Sequence, residues 1–266
     1  MRLSLLCVSI LIVLAPACGG AAEFRGLIEP HRVIKIGSPT EGILEAVNVD
    51  RGYIVWKGQI LARLQSGVER ANMQLALRRA QMEGSIKGKQ ANSVMYQAKK
   101  ARIEKLYKKQ MSSPSEMEEA EANRIISDMQ YKEALENKEL AELDYKRNVE
   151  VVKRLTIFSP VSGVVVERFL SPGEYVKDQP VVKIAEIDPL NIEVILPAAQ
   201  YNSVKVGMQA TVVPEAPEGG KYTAMVKVVD RVIDAASGTF GVRLEMPNHN
   251  YRLLAGLKCK VIFPFK

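Results

Sequence analysis

Residues 39–64 read PTEGILEAVNVDRGYIVWKGQILARL, and residues 160–184 read PVSGVVVERFLSPGEYVKDQPVVKI, an imperfect second copy of the same pattern. Pro39, Gly42, Ile43, Gly52 and Val55 return as Pro160, Gly163, Val164, Gly173 and Val176, each 121 residues later. The second copy then loses one residue, so Gln59, Leu61 and Leu64 correspond to Gln179, Val181 and Ile184. A repeat of this kind marks one supersecondary unit used twice. In each copy, Val- and Ile-rich runs punctuated by glycine read as short strands and turns. Neither copy holds enough apolar positions for a core of its own, so the two are expected to pack face to face as one small sandwich.

The segment between them differs in kind. Residues 68–155 contain Pro114 as their only proline and are dominated by Ala, Glu, Lys, Gln, Met and Leu, which is helix-forming material. Ser66 with Glu69 predicts a capping box at the start, and Ser113, Pro114 and Glu116 predict a second one with proline at the first helical position. The break therefore falls near Ser112, leaving two helices of about 40 residues, each about 60 Å long. Both ends of the insert must return to the same sandwich, so the helices are expected to run out and back as an antiparallel hairpin. Residues 68–111 carry 11 Lys/Arg against 3 Asp/Glu, and residues 112–155 carry 7 against 11, so a basic helix is paired with an acidic one. Opposite charges along facing edges favour that pairing, each exposed pair contributing about 0.2–1 kcal/mol. Met117, Ala120, Tyr131, Ala134, Ala141, Tyr145, Val152 and Leu155 form a thin stripe at near-heptad spacing. Gly84 and Gly88 each cost about 1 kcal/mol relative to alanine, which predicts a kink or fraying in the first helix.

The whole chain of 266 residues is 47% hydrophobic and 25% charged, the composition of a folded protein. Its net charge of +7 is not accompanied by a basic run interleaved with aromatics, and aromatic content is 6%, so a nucleic-acid platform is excluded. Two histidines, His31 and His249, and three cysteines leave no His/Cys cage at metal-ligand spacing and no disulfide framework. Arg2 followed by the apolar run Leu3 to Leu14 is too short to span a bilayer and suits the core of a secretory signal, which makes residues 1–22 a leader. Its cleavage has two candidate places: after Gly20-Ala21-Ala22, or before Cys18 in Leu14-Ala15-Pro16-Ala17-Cys18, where the new N-terminal thiol would be acylated. Cys259 reads as a small buried hydrophobe in a strand.

The half-motif Glu41-Gly42-Ile43-Leu44-Glu45-Ala46-Val47, with Gly52, Val55, Gly58-Gln59 and Leu61, and its return as Phe158-Ser159-Pro160-Val161-Ser162-Gly163-Val164-Val165, resemble a known family. This family is the periplasmic adaptor, or membrane fusion, proteins (HlyD and RND types) of bacterial tripartite efflux and secretion systems. The resemblance covers the chain from about Glu23 to its end. It implies an elongated α+β fold: a split lipoyl-like, barrel-sandwich hybrid domain (residues 23–67 and 156–188), a helical hairpin (68–155, tip near 110–115) and a β-barrel (189–266). Leu190-Asn191-Ile192-Glu193-Val194 would open the barrel and Leu254-Ala255-Gly256-Leu257-Lys258-Cys259-Lys260-Val261 would close it, with a short helix within Pro197–Val204. At the tip, Arg102, Leu106 and Ser113 stand at the spacing of the family's Arg-Leu-Ser signature, followed by Glu116, Glu118 and Ala120.

In such adaptors the tip meets a TolC-like outer-membrane channel. Arg102 would then supply charge-assisted hydrogen bonds, Leu106 an apolar anchor and Ser113 a hydroxyl at the turn. The resemblance further implies an inner-membrane transporter of RND or ABC type, a homo-oligomer with six as the family expectation, and periplasmic placement with Cys18 as a lipid anchor. A further membrane-proximal domain, present in many relatives, is expected to be missing because few residues follow Val261. Cofactors, metals and a catalytic site are not expected. Two other classes fit parts of the chain. A biotin- or lipoyl-carrying subunit would need a lysine at the tight turn joining the half-motifs, a place taken by the helical insert, and a structural coiled-coil spacer would make no use of the tip. The ten methionines are scattered without a close pair near the N-terminus and read as filling, not as soft-metal ligands.

Overall fold

The structure, a computed structural model, describes residues 22–215 and 219–265; the expected leader and Cys18 lie outside the described residues. Strands β1 (Ala22–Ile36), β2 (Gly42–Val47), β3 (Ile54–Val55) and β4 (Ile60–Leu64) lead into helices α1 (Gly67–Ala80), α2 (Gly84–Lys108) and α3 (Pro114–Arg154). Then follow β5 (Thr156–Phe158), β6 (Gly163–Arg168), β7 (Tyr175–Val176), β8 (Val182–Pro197), β9 (Gln209–Pro214), β10 (Tyr222–Val229), β11 (Thr239–Met246) and β12 (Lys258–Phe263). The chain divides into two compact units. One comprises residues 35–160 and 167–183; the other is drawn from the chain before Lys35, from Val161–Val166 and from Ile184 onward.

In the first unit the two copies of the repeat exchange strands. Its sheet runs β5-β4-β2-β7, so β2 of the first copy lies between β4 of its own copy and β7 of the second. Gly42 pairs with Val176 and Ile43 with Tyr175, and the Leu44 amide donates to the Glu174 carbonyl at 2.9 Å. The repeat is legible in burial: Val55 and its counterpart Val176, and Leu61 and its counterpart Val181, are all fully buried. With Leu44, Leu64 and Ile157 they form a small apolar core, each side chain contributing about 1.5–3 kcal/mol by leaving water.

The insert is the expected antiparallel hairpin, but its outgoing arm is two helices. Residues Gln81–Glu83 interrupt the arm just before Gly84, while α3 runs unbroken for 41 residues, about 60 Å. Glycine is a poor helix former because ordering its backbone loses the most entropy, and the break falls where Gly84 and Gly88 concentrate that cost. The capping box expected from Ser66 and Glu69 does not form: Ser66 is buried, and its side chain makes no cap bond. All eight stripe positions, seven in α3 and Leu155 at its C-cap, are buried or half-buried. The deepest hairpin positions are small, namely Ala76, Ala80, Ser93, Ala120, Ser127 and Ala134. Small side chains let the helices approach closely and leave the long charged residues on the flanks. Charge complementarity is accordingly a minor contributor. Of the ten hairpin ion pairs among the described residues, two cross between arms, Lys100–Glu121 and Lys138–Glu83.

The second unit is a six-stranded antiparallel barrel in the order β1-β12-β9-β10-β11-β8, closed by pairing of β1 with β8. Leu190, Ile192, Val194 and Leu196 alternate inward along β8 and meet Val212, Val226, Val242, Leu244, Val261 and Phe263. The short helix expected within Pro197–Val204 is a 3₁₀ turn at Ala198–Ser203. Cys259 is buried among these side chains, and burial pushes its thiol up to about 11, so it stays protonated as a small apolar filler. The allocation of residues 23–67 to the lipoyl-like domain needs correcting at its start. Ala22 to Leu27 pair with Phe263 to Lys258, and Ile28 sits in the barrel core, so the N-terminal strand belongs to the barrel. The segment from β8 onward supplies five strands, and β1 completes the ring between β12 and β8.

Gly163 lies where the backbone is crowded: a Cβ there would stand 2.2 Å from the Ala185 carbonyl oxygen. Gly163→Ala is expected to destabilise by about 1–3 kcal/mol through backbone displacement, read as a lowered urea midpoint with an unchanged m-value.

Candidate functional site

The hairpin tip is the five-residue turn Lys109–Ser113 between α2 and α3. The C-terminus of α2 closes in a Schellman arrangement. The Met111 amide donates to the Leu106 carbonyl and the Gln110 amide to the Tyr107 carbonyl, both at 2.9 Å, with Gln110 in the left-handed region at φ 59°. On the other side, Ser113 caps α3 in extended conformation with Pro114 at the first helical position. The Glu116 amide donates to Ser113 Oγ at 3.2 Å, and the Ser113 amide returns a bond to Glu116 Oε2 at 2.8 Å, which makes the predicted capping box. Ser112 Oγ donates to the same Glu116 oxygen at 2.7 Å. The Ser112 hydroxyl, followed by the Ser113 amide, holds the Glu116 carboxyl below its usual range.

Against this frame the predicted docking residues fall in two places. Arg102 and Leu106 are one turn apart on α2 and both exposed, Leu106 at 39%. Ser113 stands across the turn; its oxygen accepts the cap bond, and its O–H proton remains available to donate. Around them Tyr107 and Met111 are also exposed, Met111 at 72%. An apolar centre beside cations and a hydroxyl is suited to a protein surface, not to a small substrate. Among the described residues, no group of three or more His, Cys, Asp or Glu is placed to hold a metal ion. No described helix is long and apolar enough to cross a membrane. Sequence reasoning missed Tyr107, Gln110 and Met111. The Leu106–Met111 pair that accompanies a Schellman closure was the available signal.

Behind the tip the arms are held in register by a polar cluster. Ser93 Oγ donates to Asp128 Oδ1 at 2.6 Å, Gln97 Nε2 to the same oxygen at 3.1 Å, and Arg124 to Asp128 Oδ2 at 2.6 Å. The Ser93 hydroxyl is the main reason that the Asp128 carboxyl lies below its usual range, with Gln97 next. Outside the paired faces, α2 leaves Ala91, Val94, Ala98 and Ala101 exposed at a 3-4-3 spacing, and α3 leaves Ile126, Met129, Leu140 and Leu143 exposed.

A hairpin that interrupts a strand-exchanged double motif, followed by a closed barrel, defines an adaptor of the barrel-sandwich class. Residues 32–186, more than half of the chain, match the CzcB-like, barrel-sandwich hybrid domain family, and residues 190–264 match the CusB-like, beta-barrel domain family. The chain belongs to the membrane fusion proteins, the adaptor family of efflux systems. Its fold is similar to that of MacA from Actinobacillus actinomycetemcomitans (TM-score 0.75, 19% identity, 91% of this chain and 78% of that one). It is also similar to that of the membrane fusion protein Spr0693 from Streptococcus pneumoniae R6 (TM-score 0.63, 15% identity, 92% and 99%). In sequence it is 26% identical over 209 residues to the pyoverdine export membrane fusion protein PvdR of Pseudomonas aeruginosa, covering 77% of this chain and 54% of that protein. It is 24% identical over 234 residues to an uncharacterized protein of Haemophilus influenzae, covering 87% and 54%. The chain thus spans about half the length of these curated relatives.

Removing the cap with Ser113→Ala is expected to cost about 1 kcal/mol of hairpin stability, measurable by thermal unfolding followed at the helical circular-dichroism band. Asp128 and Glu116 have folded-state pKa values below their unfolded ones, so their stabilisation is present above about pH 4 and is lost as pH falls through the folded values. The melting temperature is therefore expected to drop on acidification from pH 5 to about pH 3, and the drop is expected to be smaller in Asp128→Asn.

Proposed function

We propose that the protein is a non-catalytic periplasmic adaptor subunit that links an inner-membrane transporter, of RND or ABC type, to a TolC-like outer-membrane channel for efflux or export. The observation that carries this reading is the exposure of Arg102 and Leu106 together beside a rigidly capped turn at the far end of the hairpin. Side chains that merely hold two helices together are buried between them, as Ala120 and Ala134 are. Leu106 is left in water at a position where a partner would cover it. In this reading Leu106 is the apolar anchor, Arg102 supplies charge-assisted hydrogen bonds, and the Ser113 hydroxyl donates at the turn while its oxygen caps α3.

The exposed seams on α2 and α3 support assembly of several copies side by side, six being the family's number, with the hairpins forming a tube. Cys18, if acylated, would tether the protein to the inner membrane of a Gram-negative cell. The acyl-carrier alternative is disfavoured by the path of the chain: β4 leads into α1 and α3 into β5, so a lysine-bearing tight turn has no place between them.

Arg102→Asp and Leu106→Ser are each expected to abolish co-purification with the channel and export of the transported compound, while the variants remain folded and reach the periplasm. Retention of channel binding by both variants would overturn docking through the tip.

A further inference from the structure

Among the described residues, seven glycines occupy backbone positions with φ between +65° and +119°, which is where glycine alone escapes a Cβ clash. Among the same described residues, those other than glycine at positive φ are Gln110, Asn250 and Tyr251. Asparagine tolerates this conformation, and Tyr251 is half-buried against the barrel core, so packing holds it there. Gln110 has neither excuse. It is exposed, its side chain takes part in no hydrogen bond or ion pair among the described residues, and it fills the Schellman position where glycine is the residue of least strain. The backbone of Gln110 closes α2, but its side chain has no structural role, and a strained residue with an idle side chain at an exposed apex points to use by a partner.

We propose that Gln110, with Met111 beside it, is a specificity-determining residue of the tip. Its carboxamide recognises an acidic, hydrogen-bonding surface at the helical end of the TolC-like channel. This rests on the adaptor reading and adds to it the chemistry of the contact. Gln110 offers a donor and an acceptor on one uncharged group, which matches the mixture of N–H and C=O groups left open at helix ends. Met111 supplies an adaptable apolar surface next to it. Acidity of the partner follows from the charges around the turn. Lys100 and Lys108 are engaged by Glu104, whereas Arg102, Lys105 and Lys109 are exposed and enter no ion pair among the described residues. An anionic surface would pair with those three cations and speed the encounter at low salt.

The test measures binding of the full-length protein to the same bacterium's purified TolC-type channel in detergent, at low and at high salt, alongside thermal unfolding of each variant. Gln110→Gly is expected to unfold at a higher temperature than the parent yet bind about tenfold more weakly, and Gln110→Ala, which keeps the backbone strain and lacks the amide, is expected to bind as weakly. Added salt is expected to weaken the parent's binding. Parental affinity in both variants, with Leu106→Ser losing binding, would overturn the role of Gln110 and leave the adaptor reading standing. Weak binding by Gln110→Gly with parental binding by Gln110→Ala would assign the effect to turn rigidity and overturn the amide's role. Salt-independent binding would overturn the acidic surface. Unchanged binding by Arg102→Asp and Leu106→Ser would overturn both readings together.

Discussion

At the base of the hairpin the Leu64 amide donates to the Leu155 carbonyl at 2.8 Å. Three helices of 14, 25 and 41 residues leave the sheet and return beside this bond, because β4 and β5 must pair before either half of the repeat has a core. The constraint fixes the fold more firmly than helix propensity does. It forces an antiparallel hairpin, places the tip at the far end and sets Leu64 and Leu155 as buried anchors for the two stems. Strand exchange reinforces it, since β2 cannot complete its ladder without β7 from the other side of the insert.

The hairpin is held differently along its length. Around and beyond the break at Gln81–Glu83, polar and charged groups join the arms: Lys138 to Glu83, Lys89 to Gln130, and Ser93 and Gln97 to Asp128, whose other oxygen is held by Arg124 of its own helix. Nearer the sheet, the described contacts between α1 and α3 rest on small apolar residues such as Ala76 and Ala80. A hydrogen-bonded cluster specifies register, because slipping by one residue would take Ser93 and Gln97 away from Asp128. Apolar contact between small residues specifies proximity only. The distal arm is therefore the better defined of the two, and it carries the tip.

Much of this was legible in the residues alone. The repeat announced itself at Gly42 and Gly163, the helical insert by composition, the second helix start by Ser113-Pro114 and Glu116, and the stripe of α3 by its spacing. Three features were not. β1 belongs to the barrel, between β12 and β8, and nothing local in Ala22–Ile36 says which sheet will take it. The break in the outgoing arm was readable as weakness at Gly84 and Gly88 but not as a full interruption three residues earlier, since propensity gives cost and tertiary packing decides where it is met. The left-handed turn at Gln110 has no signal in residue type, which there argues against the conformation adopted. The expectation of charge pairing between arms holds at Lys100–Glu121 and Lys138–Glu83, while the other eight hairpin ion pairs stay within one helix, because side chains three or four residues apart on a helix already lie within reach of each other.

The closure of the barrel by β1 also has a mechanical side. Ala22 pairs with Phe263 and Leu27 with Lys258, while the opposite edge of the same strand pairs with β8. Tension applied at Ala22 would pull along the strand axis, loading both ladders in shear so that many bonds share the force at once. A hairpin opened from its end yields bond by bond, whereas a strand drawn lengthwise between two neighbours does not. The barrel would thus resist a pull along β1 through two ladders at once.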